Sequence, residues 1–228
     1  MDKKNKIVIS LGGSLIVPNG IDIDFVNSFI SLIKEYVSQG FSFLIITGGG
    51  KVCRDYNEAL KKIVNPSNED LDFLGISVTR LNAEFIRISF GDLAYERIIL
   101  DPGIIPNTDK PIIIGGGWKP GNSSDLVAIC GAKSVGSKKI LNLSNIDYVY
   151  DKDPKKYEDA KPIIDISWTD FISLFPREWI PGENLPFDPI ASGKALELGY
   201  EVIVLNGKNL GNLKNYLDNK KFVGTTIK

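Results

Sequence analysis

Residues 41–54 of the 228-residue chain read FSFLIITGGGKVCR, and this stretch decides the fold. The apolar run that ends at Thr47 predicts a buried strand, and the residues after the glycines predict a helix. A strand, a glycine turn and a helix in this order expose main-chain N–H groups at a helix N-terminus, where an anion can bind. Glycines let a phosphate-sized group reach the backbone, and Lys51 and Arg54 add positive charge nearby. The alternative is an ordinary turn between a strand and a helix.

The same arrangement occurs twice more in the chain. Lys6–Leu11 predicts a strand that runs into Gly12-Gly13-Ser14, and residues 111–114 predict a strand that runs into GGGWKPG at residues 115–121. Ligands of parallel α/β sheets bind at the carboxyl ends of the strands. The three glycine turns are therefore expected to line one cleft.

Strands and helices alternate along almost the whole chain. This alternation predicts an α/β fold with a mainly parallel sheet and helices on both of its faces. The break at residues 136–147 predicts a boundary between two lobes of a single domain, residues 1–135 and residues 136–228.

Composition excludes several classes of function. A net charge of −1 and a pI near 5.6 argue against a nucleic-acid partner, and no apolar run reaches the length of a membrane span. The charged start of the chain is too short for a signal peptide, and Cys53 and Cys130 are typical of reduced thiols, so we predict a cytoplasmic protein. The chain has no histidine, which excludes histidine bases, histidine metal sites and Ser-His-Asp triads.

Helix boundaries follow from caps and apolar spacing. Asp22 or Asp24 is predicted to cap a helix with an apolar stripe over residues 26–37, and Asp70 is predicted to cap the longest helix. Asp72, Gly75 and Arg80 are expected on another face of that longest helix than its buried stripe. The predicted buried stripe comprises Leu71, Leu74, Val78, Leu81, Phe85 and Ile88. Residues 97–100 are a candidate short strand.

Five motifs, in chain order, resemble those of the amino acid kinase superfamily. They are Gly12-Gly13-Ser14, Gly48-Gly49-Gly50-Lys51, Gly115-Gly116-Gly117 with Ser124-Asp125, Asn145-Ile146-Asp147 with Val149-Tyr150 and Asp153-Pro154, and Asp188-Pro189-Ile190-Ala191. The resemblance covers essentially the whole chain and is greatest to the archaeal type of UMP kinase, which also has counterparts of residues 72–76 and 79–83. It implies a three-layer α/β/α sandwich whose N-terminal half holds the phosphoryl acceptor and whose C-terminal half holds ATP.

The resemblance also implies roles for individual residues. The transferred phosphoryl group and the acceptor phosphate are expected at Gly12, Gly13, Gly49, Gly50 and Arg54. The rest of the acceptor is expected at Asp72, Gly75, Ser124 and Asp125. ATP is expected among Asn145, Asp147, Tyr150, Asp153 and Pro154. Asp188 is expected to orient catalytic groups near the metal. Mg²⁺ and ATP are the implied cofactors, and no direct metal ligand is assigned.

The missing histidine agrees with this chemistry. The phosphate of a nucleoside monophosphate is already ionised, because its second pKa is ~6, so its oxygen can attack without a general base. Catalysis then depends on positioning and on neutralising charge. Many family members place a lysine where this chain has Ser10, so the catalytic residues expected here are Gly13, Asp188 and a substitute cation, either Lys51 or Lys119.

Three features leave alternatives open. Tyr148 replaces a glycine of the usual nucleotide loop and would be strained at positive φ. Trp118 and the proline-rich residues 179–189 suggest a divergent branch, in which Trp118 stacks on a base, packs in the core or contacts another chain. The resemblance implies transfer of a phosphoryl group from ATP to UMP. The alternatives are a kinase of the same fold that acts on another phosphorylated or acidic metabolite, or a non-catalytic protein that stores ATP or oxyanions. The resemblance also implies a homo-oligomer, a hexamer, for which the stripe over residues 26–37 is a contact candidate unless it packs on the sheet.

Overall fold

The computed structural model describes residues 6–154, 156–175 and 185–228. The strands are β1 Lys6–Leu11, β2 Ser42–Thr47, β3 Ile112–Gly115, β4 Lys139–Ser144, β5 Val149–Tyr150, β6 Pro162–Ile163, β7 Asp165–Ile166, β8 Glu201–Asn206 and β9 Thr225–Ile227. The helices are α1 Gly13–Ile16, α2 Ile23–Ser38, α3 Gly50–Ile63, α4 Asn68–Phe90, α5 Ser124–Val135, α6 Trp168–Leu174, α7 Pro189–Leu198 and α8 Leu210–Leu217. None of these described helices is both long enough and apolar enough to cross a lipid bilayer.

Seven strands form one sheet in the order β3-β2-β1-β4-β8-β9-β7. The first five are parallel to one another, β9 runs antiparallel to β8, and β7 is parallel to β9. Strands β5 and β6 form a separate two-stranded ribbon. The predicted mainly parallel sheet is confirmed. Its first three strands, β1 to β3, each end in a glycine turn at the same edge.

Helices cover both faces of the sheet. All six residues of β2 are buried, because successive side chains point to opposite faces and both faces are packed. One apolar cluster joins the sheet to α2, α4 and α8, and the other joins it to α5, α6 and α7. The predicted three-layer α/β/α sandwich is confirmed.

Helix α2 packs its apolar stripe on the sheet. Asp22, rather than Asp24, caps the helix by accepting a hydrogen bond from the N–H of Phe25 at 3.0 Å. Phe29 and Ile33 are completely buried in the core. Of the two alternatives for this stripe, packing on the sheet is the one the structure shows.

The prediction that Asp70 caps α4 is wrong. Ser67 is the cap, since its hydroxyl accepts from the N–H of Asp70 at 3.1 Å while the Asp70 carboxylate accepts from the N–H of Ser67 at 2.9 Å. This reciprocal pair is a capping box. Both residues take part in it, and the helix begins earlier than its apolar pattern indicates.

The predicted buried stripe of α4 is partly wrong. Leu81 and Ile88 are 68% and 62% exposed, because the helix turns a different face to the sheet. That face includes small and polar side chains, which an apolar pattern scores weakly. The buried residues of α4 are Leu71, Ile76, Val78, Asn82, Ala83, Ile86 and Phe90.

Two further expectations concern irregular segments. Residues 97–100 do not form a strand; the segment makes one isolated bridge, between Ile99 and Gly115, and Ala94 before it makes another with Ile112. Residues 1–5 and 176–184, which include most of the proline-rich stretch, lie outside the described residues.

The first two glycine turns pack backbone to backbone. A methyl group at Gly13 would collide with the main chain of residues 48–50, and one at Gly50 would collide with the main chain of Gly13 and Ser14. Gly50 also has φ +63°, a conformation that side chains other than glycine rarely adopt. No flexible side chain can move aside here, so both positions require glycine.

We expect Gly13→Ala to lower the free energy of unfolding by about 3 kcal/mol or more, because the added methyl group meets backbone on the facing turn. Urea denaturation measures the change. The matched control is Gly20→Ala, since a methyl group there meets nothing within 4 Å, and its effect should stay within about 0.5 kcal/mol. Equal stabilities for the two variants would contradict the packing.

Candidate functional site

The three glycine turns converge at one edge of the sheet, as predicted. The first two are in main-chain contact. The third is fixed to α4, because the N–H of Gly117 donates to Thr79 Oγ1 at 2.7 Å. Thr47, at the end of β2, in turn donates to the Thr79 carbonyl at 2.9 Å. The carboxyl ends of β1, β2 and β3 and the middle of α4 therefore meet at one edge of the sheet.

Helix α3 begins at this edge with Gly50. Gly49 caps it without any side-chain hydrogen bond, so the first N–H groups of α3 are left for an anion. Arg54, one turn further on, is partly buried and forms no ion pair with the described residues. Lys51 is different: its ammonium group lies 2.6 Å from the carboxylate of Asp55, and both side chains are about half exposed.

Gly12 connects the first turn to the neighbouring strand β4. Its N–H donates to the carbonyl of Leu143 on β4 at 2.9 Å. A methyl group there would lie 2.9 Å from that same carbonyl oxygen. Gly12 therefore brings the first turn close to β4, and its N–H is already engaged.

Polar residues on one face of α4 hold the third turn. Asp72 Oδ2 accepts from the N–H of Gly121 at 2.7 Å, and Arg80 donates to the carbonyls of Gly117 and Trp118 at 3.0 and 2.9 Å. Burial raises the pKa of Asp72, while the Gly121 N–H opposes the rise. Predicted acceptor residue Asp72 is thus placed at the cleft, where it already binds the loop.

Gly75 and Cys53 fill the space between α3 and α4. A methyl group at Gly75 would lie 3.1 Å from Cys53 Sγ, so the glycine leaves room for the thiol. Burial raises the pKa of Cys53, and both cysteines of the chain are free thiols.

Trp118 is partly buried and packs against the apolar cluster on the α5 face. The ammonium group of Lys119 lies 4.1 Å from the centre of its ring. Of the three alternatives for Trp118, the structure shows core packing. Base stacking and contact with another chain stay predictions.

A pair of acidic side chains lies beneath the turns. Asp125, at the start of α5, accepts from the Ser10 hydroxyl at 2.9 Å and from the N–H of Asp188 at 3.2 Å. Asp188 caps α7 by accepting from the N–H of Ala191 at 2.7 Å; its buried Oδ2 has no partner at hydrogen-bond distance, although the Ser123 hydroxyl lies near the carboxylate. Burial, and then the charge of Asp188, raise the pKa of Asp125 to about 6; burial also raises the pKa of Asp188.

The unpartnered Oδ2 of Asp188 is the observation that bears on a metal. A buried carboxylate oxygen without a donor fits a site that receives a cation or its bound water. No cluster of three or more Asp, Glu or Cys residues that could hold a metal ion occurs in the part of the chain that the structure describes. The acidic pair therefore fits a cation that arrives with most of its own ligands.

The residues expected around ATP follow β4. Asn145 and Asp147 are exposed in the turn after this strand, and Asp147 Oδ1 accepts from Asn206 Nδ2 at 2.9 Å. Tyr150 lies in the β5–β6 ribbon, which the Thr225 hydroxyl supports by accepting from the N–H of Val149 at 2.8 Å. Asp153 and Pro154 follow β5, and Asp153 lies 3.8 Å from the ammonium group of Lys156.

Tyr148 brings no backbone strain. Asn219 is the only described residue other than glycine with positive φ. The turn after β4 therefore accommodates tyrosine in an ordinary conformation, and the expected cost does not arise.

Sequence reasoning assigned no role to four polar residues near the site, although two of them, Thr79 and Asn82, stand in the segment 79–83 that has a counterpart in archaeal UMP kinases. Asn82 donates to the carbonyl of Gly48 at 2.8 Å, and Asn142 donates to the carbonyl of Pro186 at 2.9 Å. Thr79 and Asn206 were also given no role, although the sequence pattern around each of them indicated its position. Asp72, Gly75, Thr79 and Asn82 share one helical face, and Asn206 ends a buried strand.

Comparison with known proteins agrees with this architecture. A sequence model of the Amino acid kinase family matches residues 5–206. The uridylate kinase of Methanobrevibacter smithii is 30% identical over 97% of this chain and 98% of its own length. That of Thermoplasma volcanium is 33% identical over 97% of this chain and 96% of its own length.

A solved structure shows the same likeness. The crystal structure of uridylate kinase from Archaeoglobus fulgidus aligns with a TM-score of 0.81 and 27% identity, covering 98% of this chain and 100% of the other. The predicted resemblance to the superfamily, and within it to archaeal uridylate kinases, is confirmed. The chain belongs to the amino acid kinase family.

Proposed function

We propose that this protein transfers the γ-phosphoryl group of ATP to UMP and releases UDP and ADP. The observation that carries the proposal is the convergence of three glycine turns on one cleft, with the first two in main-chain contact. Similarity to curated uridylate kinases over 97% of the chain supports it. We expect the enzyme to act in the cytoplasm as a homo-oligomer, with residues 1–135 forming the acceptor lobe and residues 136–228 the ATP lobe.

The acceptor side of the proposal uses the first two turns and α4. The N-terminus of α3 and the guanidinium of Arg54 would bind the acceptor phosphate, supported by the absence of an ion pair to Arg54 in the described ranges. Asp72 would accept hydrogen bonds from ribose hydroxyls through the oxygen not held by Gly121. We assign the remaining acceptor contacts to Gly12, Gly13, Gly49, Gly50, Gly75, Ser124 and Asp125.

The donor side uses the turn after β4 and the acidic pair. We assign ATP binding to Asn145, Asp147, Tyr150, Asp153 and Pro154. Mg²⁺ bound to the ATP phosphates would neutralise charge on the transferred group. The carboxylates of Asp125 and Asp188 would face that cation, supported by the unpartnered Oδ2 of Asp188.

The reaction needs no proton acceptor from the protein. The attacking phosphate oxygen is ionised at neutral pH, so the chain has only to hold two anions in line and stabilise the added charge. Main-chain N–H groups and one or two cations suffice for this. A chain without histidine can therefore perform the reaction.

One observation favours a second candidate. Because Asp72 already binds the N–H of Gly121, its carboxylate is less available to a ribose than a free one. A kinase of the same fold that acts on another phosphorylated or acidic metabolite would use Asp72 mainly to hold this loop.

The purified chain, with ATP and Mg²⁺, should form ADP steadily when UMP is added but not when CMP, AMP or glutamate is added. A coupled assay that records ADP measures this. Turnover with another acceptor and none with UMP would select the second candidate. ATP binding without turnover on any acceptor would select a storage protein.

We expect Lys51→Ala to lower kcat more than tenfold if Lys51 supplies the charge that Ser10 does not. Asp55→Asn is the control, because it removes the ion pair but leaves the lysine, and it should keep kcat within about threefold. A loss of less than tenfold in Lys51→Ala, with KM unchanged, would remove Lys51 from this role and leave Lys119.

The pKa of Asp125 predicts a pH dependence of stability in the free protein. Its pKa of about 6 lies above the unfolded value of about 3.9, so folding favours the protonated carboxyl. The stabilisation that comes from the protonated Asp125 carboxyl is fully present below pH 4 and is lost as the pH rises through 6. Relative to that of Asp125→Asn, the free energy of unfolding of the wild type should fall by about 2–3 kcal/mol between pH 4 and pH 7.

Urea unfolding without nucleotide, repeated across this range, measures the difference. Asp24→Asn, at an exposed position on α2, is the control. The difference between its free energy of unfolding and that of the wild type should show no comparable change with pH. A wild-type curve that runs parallel to that of Asp125→Asn would rule out the raised pKa.

A further inference from the structure

The carboxyl end of β8 lies directly beside the turn that carries Asp147. Strands β4 and β8 are parallel neighbours, and Ser144 pairs with Asn206 in their register. The N–H of Gly207 donates to the carbonyl of Ser144 at 2.8 Å, which joins the two strand ends just before Asn145. Residues 206–208 thus lie against the base of the predicted ATP loop.

The side-chain amide of Asn206 has a partner on each side. Its Nδ2 donates to Asp147 Oδ1 at 2.9 Å, and its Oδ1 accepts from the N–H of Lys208 at 3.1 Å. A reversed amide would point an oxygen at a carboxylate and an NH₂ group at an N–H. An aspartate at this position would place two carboxylates together, so the contact requires the amide.

The turn that holds Asn206 is itself confined. A methyl group at Gly207 would collide with Leu15 Cδ1 and would lie 3.1 Å from Leu143 Cβ. Leu15 belongs to α1, which begins within the first glycine turn. The position of Asn206 is therefore fixed by the strand ends and by the element that carries the predicted phosphate site.

The contact leaves Asp147 prepared for a ligand. Asp147 is exposed, and within the described ranges Asn206 is the only hydrogen-bond partner of its carboxylate. The bond to Oδ1 restricts the orientation of the side chain, which leaves Oδ2 as an acceptor for a hydroxyl or amine of a nucleoside. Restricting a group before binding improves affinity, because less freedom is lost on binding.

We infer that Asn206 is a positioning residue that orients Asp147 for the nucleoside of ATP, although it does not touch the nucleotide itself. This inference rests on the proposed function, from which the ATP role of Asp147 comes. It adds a residue from a strand end that carries none of the family motifs quoted above.

The test measures binding of a non-hydrolysable ATP analogue with Mg²⁺ by calorimetry, and needs no acceptor. Loss of one hydrogen bond in Asn206→Ala should weaken binding about fivefold. Asn206→Asp, which sets two carboxylates together, should weaken it about tenfold or more. The matched control is Asn215→Asp on an exposed part of α8, which should bind within about twofold of wild type.

A double variant separates positioning from structure. The double variant carries Asp147→Asn and Asn206→Asp together, which restores the hydrogen bond with its donor and acceptor exchanged. Residue 147 still offers an oxygen to the nucleoside. Binding should return to within about threefold of wild type, with KM for UMP unchanged throughout. Thermal unfolding, measured in parallel, should be the same in all variants.

The inference is overturned if Asn206→Ala and Asn206→Asp both bind the analogue as the wild type does. It is equally overturned if the double variant binds as weakly as Asn206→Asp. A wild type that binds the analogue but does not turn over UMP would defeat the proposed acceptor and leave this result standing. A wild type that fails to bind the analogue would defeat both proposals.

Discussion

The close packing of two glycine turns is the constraint on which the rest of the structure depends. Main chain meets main chain between Gly13 and residues 48–50, so β1 and β2 must end level with each other. Parallel pairing of Leu11 with Thr47 produces that alignment. Once these two strand ends are fixed, the first turn of α3 begins directly against the start of α1.

Helix α4 connects this contact to the rest of the cleft. Its buried face carries Asn82 and Thr79, which bind the second and third turns, while Arg80 and Asp72 hold the loop beyond the third. Polar groups inside a helix face are costly unless they are paired, and here each of them is paired with backbone. The helix thus covers one face of the sheet and also holds the second and third turns in place.

The sequence could predict those parts that local physics decides. Buried strands and glycine turns have strong patterns, so β1, β2, β3 and their convergence could be predicted from the sequence. The cap of α4 could not be predicted, since Ser67 and Asp70 are both good capping residues and only the folded geometry distinguishes them. The exposure of Leu81 depends on which face α4 turns to the sheet, which no periodicity decides. The bond between Asn206 and Asp147 joins residues 59 positions apart, so only the fold reveals it.

The support of the β5–β6 ribbon by Thr225 has a consequence for biosynthesis. Chains are made from the N-terminus, and the first two glycine turns can meet once β1, β2 and the start of α3 have left the ribosome. Val149, by contrast, donates to a hydroxyl 76 residues further along. A nascent chain can therefore assemble one side of its cleft early, while the other side waits for a strand that is translated last of all the strands described.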